Sequence, residues 1–227
     1  MRASYRYLFL TLCLLAIAYP ASGVEPAKEN EACVALAEGD LRIVIATGPL
    51  SKDEDISPVR FDRSARIISL QLAGVEYLGA EGMPDDFGLH GIGILGFDEA
   101  SPGEPFIKPG VGLLRKEGAL YRFMRSYELI SAFPTRVLER TDTTLTLEQT
   151  SSELHGYAYR YTKTYRLHLP STLVLEYSLT NVGSRSFAFE QYNHNWFSLG
   201  LNHPDTSLII QWPGLHPERT HSWFSED

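Results

Sequence analysis

The sequence predicts an all-β, antiparallel fold, and three observations carry that expectation. Short runs rich in β-branched and aromatic residues recur between clusters of turn formers. The strongest of these runs follow one another between Tyr157 and Tyr192, the rhythm of an antiparallel meander. Outside the first 23 residues no long 3.6-residue apolar period and no repeat of fixed length occurs, which argues against helical bundles and solenoids.

Arg2 and Arg6 precede an apolar run from Tyr7 to Tyr19, and the small residues Ala21, Ser22 and Gly23 follow. This is the pattern of a secretory signal over residues 1–23, cut after Gly23. The run is shorter than the ~20 apolar residues of a membrane span, so no membrane anchor is expected after cleavage. Leu12 before Cys13 does not suit a lipid-modified cysteine. Export to the periplasm or the extracellular space would leave Cys33 as the single cysteine, with no internal disulfide. Residues 24–40 mix Glu, Pro, Lys and Asn and read as a flexible leader with room for one short strand where the core begins, and the β domain spans 41–227.

Within that domain, Leu41–Ile45, Ile67–Leu72, Tyr121–Phe123 and Thr143–Glu148 are short strand candidates. Phe87–Leu114 is crowded with glycine and proline and is expected to be mostly loop, carrying His90, Asp98, Glu99, Glu104 and Lys108. Tyr157–Leu169 combines tyrosines and threonines with alternating Arg and Lys, and Pro170-Ser171 breaks it. Leu173, Leu175, Tyr177 and Leu179 share one face of the next strand; Asn181–Ser184 turns the chain, and Phe187–Tyr192 continues the meander.

Composition narrows the function. With 44% hydrophobic residues the chain can build a real core, and a net charge of -8 without any dense Lys/Arg patch speaks against nucleic acid as a partner. Nucleotide-binding, serine-hydrolase and zinc-protease motifs are absent from the sequence, and the histidines lack metal-ligand spacing, so neither cofactor nor metal is expected. The segment Glu190–Gly200 stands out because His194 lies between Asn193 and Asn195, beside Tyr192, Trp196 and Phe197. Amides and an imidazole offer directional hydrogen bonds to hydroxyls, and aromatic rings offer flat apolar faces to a pyranose. Glu190, Tyr192 and His194 share a face if the strand is unbroken, which makes Glu190 a ligand contact as well.

Several of these features resemble the aldose 1-epimerase (galactose mutarotase) family. Phe61–Leu70 followed by Gly74–Gly79 resembles its opening hairpin. Leu89-His90-Gly91 followed by Gly96-Phe97-Asp98 is similar to its early histidine motif, with Ile92 in place of a second glycine and one extra residue before Gly96. Leu175–Asn181, a turn, and Asn193–Leu199 resemble the segment that carries its second histidine. The resemblance implies a galactose mutarotase-like β-supersandwich, antiparallel and incomplete. It also implies catalytic roles for His194, as the acid, and His90, as the partner that orients substrate.

Mutarotation opens a hemiacetal ring and closes it on the other face, so one group removes the anomeric proton while another protonates the ring oxygen. In the family the base is a glutamate far beyond the second histidine, and only Glu218 and Glu226 follow His194 here. A truncated chain is therefore expected, with open sheet edges that favour self-association. The expected ligand is a sugar or glycan bound by Asn193, Asn195, Trp196, Tyr192 and Glu190. The expected function is carbohydrate binding, with anomer interconversion as its enzymatic form. The alternative is a non-catalytic polysaccharide-recognition module or a fragment of a larger carbohydrate-active enzyme. A lyase acting on acidic polysaccharide fits the acidic chain less well.

Overall fold

A computed structural model describes residues 4–13, 32–48 and 59–198. Every pair of strands in it is antiparallel, and no helix occurs among the described residues. The fold is all-β, in agreement with the period-two patterning of the sequence.

The first sheet is built from β2 (Cys33–Glu38), β3 (Leu41–Ala46), β4 (Arg66–Leu72) and the short β5 (Val75–Glu76), in that order. β2 lies inside the stretch 24–40 expected to be a flexible leader, so the sheet begins at Cys33 rather than at Leu41. The reason is local. Gly39 adopts φ +58° and closes a tight turn, which lets Val34 and Leu36 enter the same core as Leu41, Ile43 and Ile45.

The second sheet is larger. β10 (Thr135–Arg140), β11 (Thr144–Thr150), β12 (Tyr159–His168) and β13 (Thr172–Asn181) form a meander, and β1 (Ser4–Cys13) pairs along the far side of β13 with an irregularity between Tyr7 and Leu10. β1 coincides with the first part of the expected export signal. The expected cut after Gly23 lies outside the described residues, as do Glu218 and Glu226.

The two sheets share one core. Leu145, Leu147, Leu167, Leu173, Leu175 and Leu179 from the meander pack with Ile43, Ile45, Ile67 and Leu70 from the first sheet. Tyr159, Tyr161, Tyr165 and Tyr177 belong to that core too, so these rings pack sheet against sheet instead of lining a groove.

Between the sheets in sequence lie β6 (Asp85–Phe87), β7 (Pro105–Lys108), β8 (Gly112–Arg115) and β9 (Leu129–Ala132); the Gly-rich stretch Phe87–Leu114 is mostly loop, as expected, with β7 and most of β8 inside it. β7, β8 and β9 make a small sheet over a second core of Ile94, Phe97, Phe106, Val111, Leu114 and Tyr127. Tyr121–Phe123, expected as a strand, is a loop. The ring of Tyr121 stacks on Tyr127 at 5.5 Å, and the Arg122 N–H donates to the Tyr127 hydroxyl, so side-chain packing replaces a ladder.

The last described strand departs from the meander. Phe187–Glu190 is not part of a strand, although the Glu190 N–H donates to the Ile92 carbonyl (3.2 Å), and β14 (Gln191–Asn193) pairs with β6 instead of joining the second sheet. That two-stranded ladder positions the candidate site.

Candidate functional site

In the β6–β14 ladder Phe87 lies opposite Gln191, Asp86 opposite Tyr192, and Asp85 opposite Asn193. Its hydrogen bonding extends beyond both ends. The Gly88 N–H donates to the Glu190 carbonyl (3.1 Å), the His194 N–H to that of Pro84 (2.9 Å), and the Trp196 N–H to that of Gly82 (3.1 Å). Gly82 sits at φ +69°, and a Cβ there would collide with the Ile67 carbonyl, so this turn requires glycine. Period two then sorts the side chains onto two faces. Asp85, Phe87, Gln191 and Asn193 face the main core, whereas the half-buried Glu190, Tyr192 and His194 share the outer face with Asp86, which is itself buried.

The inner face is a buried ionic cluster. Lys163, on β12, pairs with Asp62 and with Asp85 (2.5 Å) and donates to the Ala65 carbonyl (2.9 Å). Asn193 Nδ2 donates to Asp85 Oδ1 and to the Tyr177 hydroxyl (3.2 Å), and Gln191 Nε2 donates to the Tyr161 hydroxyl (3.0 Å). Burial would lower the Lys163 pKa, but the two carboxylates more than offset it and hold the ammonium above the usual lysine range. Burial, with the Asp85 charge adding to it and Lys163 opposing it, pushes Asp62 up to about 6. The cause is stoichiometric: two buried carboxyl groups share one cation.

The outer face is built around Asp86. Lys108 Nζ lies 2.7 Å from Asp86 Oδ1, the Tyr192 hydroxyl donates to Oδ2 at 2.9 Å, and Arg60 Nε stands 3.6 Å from Oδ2. The Arg60 guanidinium carbon is 4.5 Å from the ring centres of both Phe61 and Phe123, a cation held between two π faces. His194 stacks on Trp196 at 3.7 Å and 13°, and Phe61 meets both rings edge-on, at 5.5 and 5.3 Å. Burial, helped by the Arg60 charge, lowers the His194 pKa against the opposing pull of Asp86 and Glu81. The imidazole is therefore neutral at pH 7. Burial and Asp86 together raise the Tyr192 pKa, so its hydroxyl keeps its proton and donates.

The expected site residues separate into three groups. His194, Tyr192 and Trp196 come together on the outer face. Glu190 is on that face but at its other end, where its carboxylate accepts the His90 N–H (2.9 Å) and lies 3.0 Å from His90 Nδ1. His90 and His194 are thus at opposite ends of the ladder, not beside one another. Asn193 turns its amide into the interior, and Asn195 Oδ1 is buried without a hydrogen-bond partner among the described residues.

Arg60, Phe61, Asp86, Lys108, Phe123 and Glu81 join the site without having been singled out for it. One signal was legible. Lys163 occupies the apolar phase set by Tyr159, Tyr161, Tyr165 and Leu167, so an unbroken strand had to bury its ammonium. Asp85 and Asp86 in adjacent strand positions must likewise point to opposite faces. Arg60 and Phe123 carried no comparable signal.

Comparison with protein-family models, curated protein sequences and solved structures found no match.

Proposed function

We propose that this protein binds carbohydrate on the outer face of β6–β14. The observation that carries the reading is the stacked His194–Trp196 pair beside Tyr192, Arg60 and Asp86. It combines a neutral imidazole, a fixed cation and exposed ring surface, the mixture that suits a ligand with hydroxyls on its rim and C–H groups on its face. The mutarotase-like supersandwich is the architecture this reading implies, and the two sheets around one core are compatible with it.

Anomer interconversion is the enzymatic form of the proposal. A neutral His194 accepts the anomeric proton, or donates to the ring oxygen through its N–H. The second proton-transfer group would be Glu81, a half-buried carboxylate whose charge acts on His194 and which has no ion-pair partner among the described residues. Asp86 is less suited, since Lys108, Arg60 and Tyr192 already hold it. That locking supports the second reading, a glycan-recognition module without catalysis.

Exchange spectroscopy on freshly dissolved α-glucose and α-galactose tests both readings. Faster anomerisation, lost in His194→Asn and in Glu81→Gln, supports the enzyme. Quenching of tryptophan fluorescence without acceleration supports the module. If neither sugar changes either signal, anomer interconversion and monosaccharide binding are refuted. Export belongs to the proposal as well: protein recovered from the periplasm should begin at Val24, and without β1 the exposed β13 edge should drive concentration-dependent association.

A further inference from the structure

Beyond the His194 end, the outer face has a second polar and aromatic station. Next to the His90–Glu190 pair lies a cavity of about 380 Å³, whose lining includes His90, Gly91, Asp98, Leu120 and Tyr121. That volume falls within the range of small-molecule sites. Its rim is unusual for a surface: Leu120 is 75% exposed and Ile92 44% exposed, beside the carboxylate of Asp98. Aliphatic carbon next to hydrogen-bonding groups is again the chemistry of a sugar face.

The His90 ring is held in a way that leaves one nitrogen for a ligand. Its Nδ1 is engaged by Glu190, and its side chain is 63% exposed. In the tautomer whose Nδ1–H donates to the carboxylate, Nε2 is left as an acceptor for a hydroxyl proton.

The two stations are joined and also kept apart. Tyr192 lies between them on the same face; its ring is 6.1 Å from Phe123 and 6.0 Å from His194, and its hydroxyl meets Asp86. Lys108 reaches from Asp86 to the Tyr121 hydroxyl in the cavity wall. Glu190 and His194 are four residues apart on the strand, and at roughly 3.3 Å per residue this puts about 13 Å between the stations. One pyranose cannot reach both. Two or three linked sugars can.

We infer that the cavity at His90 is a second sugar subsite, and that the ligand is a linked oligosaccharide rather than a free monosaccharide. The inference rests on the carbohydrate reading given above, and it reassigns His90 from the chemistry at His194 to the recognition of a neighbouring sugar.

Titration of tryptophan fluorescence with β-1,4-linked glucose and galactose series of one to four units tests it. The trimer should bind about tenfold tighter than the monomer, the worth of a few added hydrogen bonds. In the double variant His90→Ala/Glu190→Gln the trimer should bind no tighter than the monomer. His90 is exposed and Glu190→Gln is isosteric, so this variant is expected to fold, and thermal unfolding checks that it does. Monomer binding without any gain in length overturns the subsite and leaves the carbohydrate reading standing. A gain that survives in the double variant places the extra contacts elsewhere and also overturns it. Absence of binding at every length refutes the carbohydrate reading, and the subsite with it.

Discussion

The two faces of the β6–β14 ladder use the same residue types for opposite ends. Inside, Asp85 and Asn193 are held by Lys163 and Tyr177, so that carboxylate, ammonium, amide and phenol satisfy one another away from water. On the other side, Asp86 and Tyr192 are equally well bonded, yet Tyr192 and its neighbour His194 are only half-buried. Adjacent aspartates one residue apart therefore divide the labour. One closes the core and the other gathers Lys108, Arg60 and Tyr192 at the proposed sugar-binding face, and only the pleat of the strand separates them.

The sharpest way to break this comparison is to remove the inner cation. Lys163→Met leaves Asp62 and Asp85 buried without their counter-charge, and unfolding in denaturant should show a loss of about 3–5 kcal/mol. A loss below 1 kcal/mol would mean that the cluster is not the structural half of the ladder. Asn193→Ala should cost about 1–2 kcal/mol, since Asp85 and Tyr177 each lose a donor, while sugar binding changes little beyond what instability explains.

The inner face should also respond to pH. Asp62 has a folded-state pKa of about 6 against an ordinary value of 3.8, so between those values the native state keeps a proton that the unfolded chain has released. The contribution of Asp62 is therefore full below about 4 and is lost as pH rises through about 6. The stability difference between wild type and Asp62→Asn should change across that window; a constant difference from pH 4 to 7 would contradict the shared-cation account.

The outer face should give the smallest changes in stability and the largest in binding. His194→Asn should alter stability by about 1 kcal/mol or less, because it gives up stacking on Trp196 but no buried hydrogen bond. Sugar-induced quenching should nevertheless be lost. For wild type, binding should also weaken as pH falls low enough to protonate His194, a point below the usual histidine range because burial and Arg60 lower its pKa. Equal binding by wild type and His194→Asn would remove His194 from the site.

Much of the fold was readable from local pattern. Period-two alternation located β3, β4, β11, β12 and β13 to within two residues at each end, because each has one face committed to the core. It did not extend to β2, hidden in a polar stretch and recruited by the Gly39 turn, nor to β14, whose partner lies about a hundred residues away in sequence. Tyr121–Phe123 had strand composition, but its rings packed locally instead.

Residue chemistry and alternation by themselves determined an all-β chain and which residues around His194 lie on the same side; the proposal of hydroxyl-bearing ligands for that stretch rests on its residue types. Only the tertiary structure decided which side faces out. It sent Asn193 inward to Asp85, set His90 against Glu190 rather than beside His194, and brought Arg60, Lys108 and Phe123 from distant segments around Asp86. The physical reason is that alternation is a property of neighbouring residues, whereas the orientation of a ladder depends on what can neutralise its buried charges. Here the decisive group is Lys163, which holds Asp85 and its partner Asn193 on the inner side and leaves Asp86, itself buried against Lys108, with the half-buried Tyr192 and His194 on the opposite side.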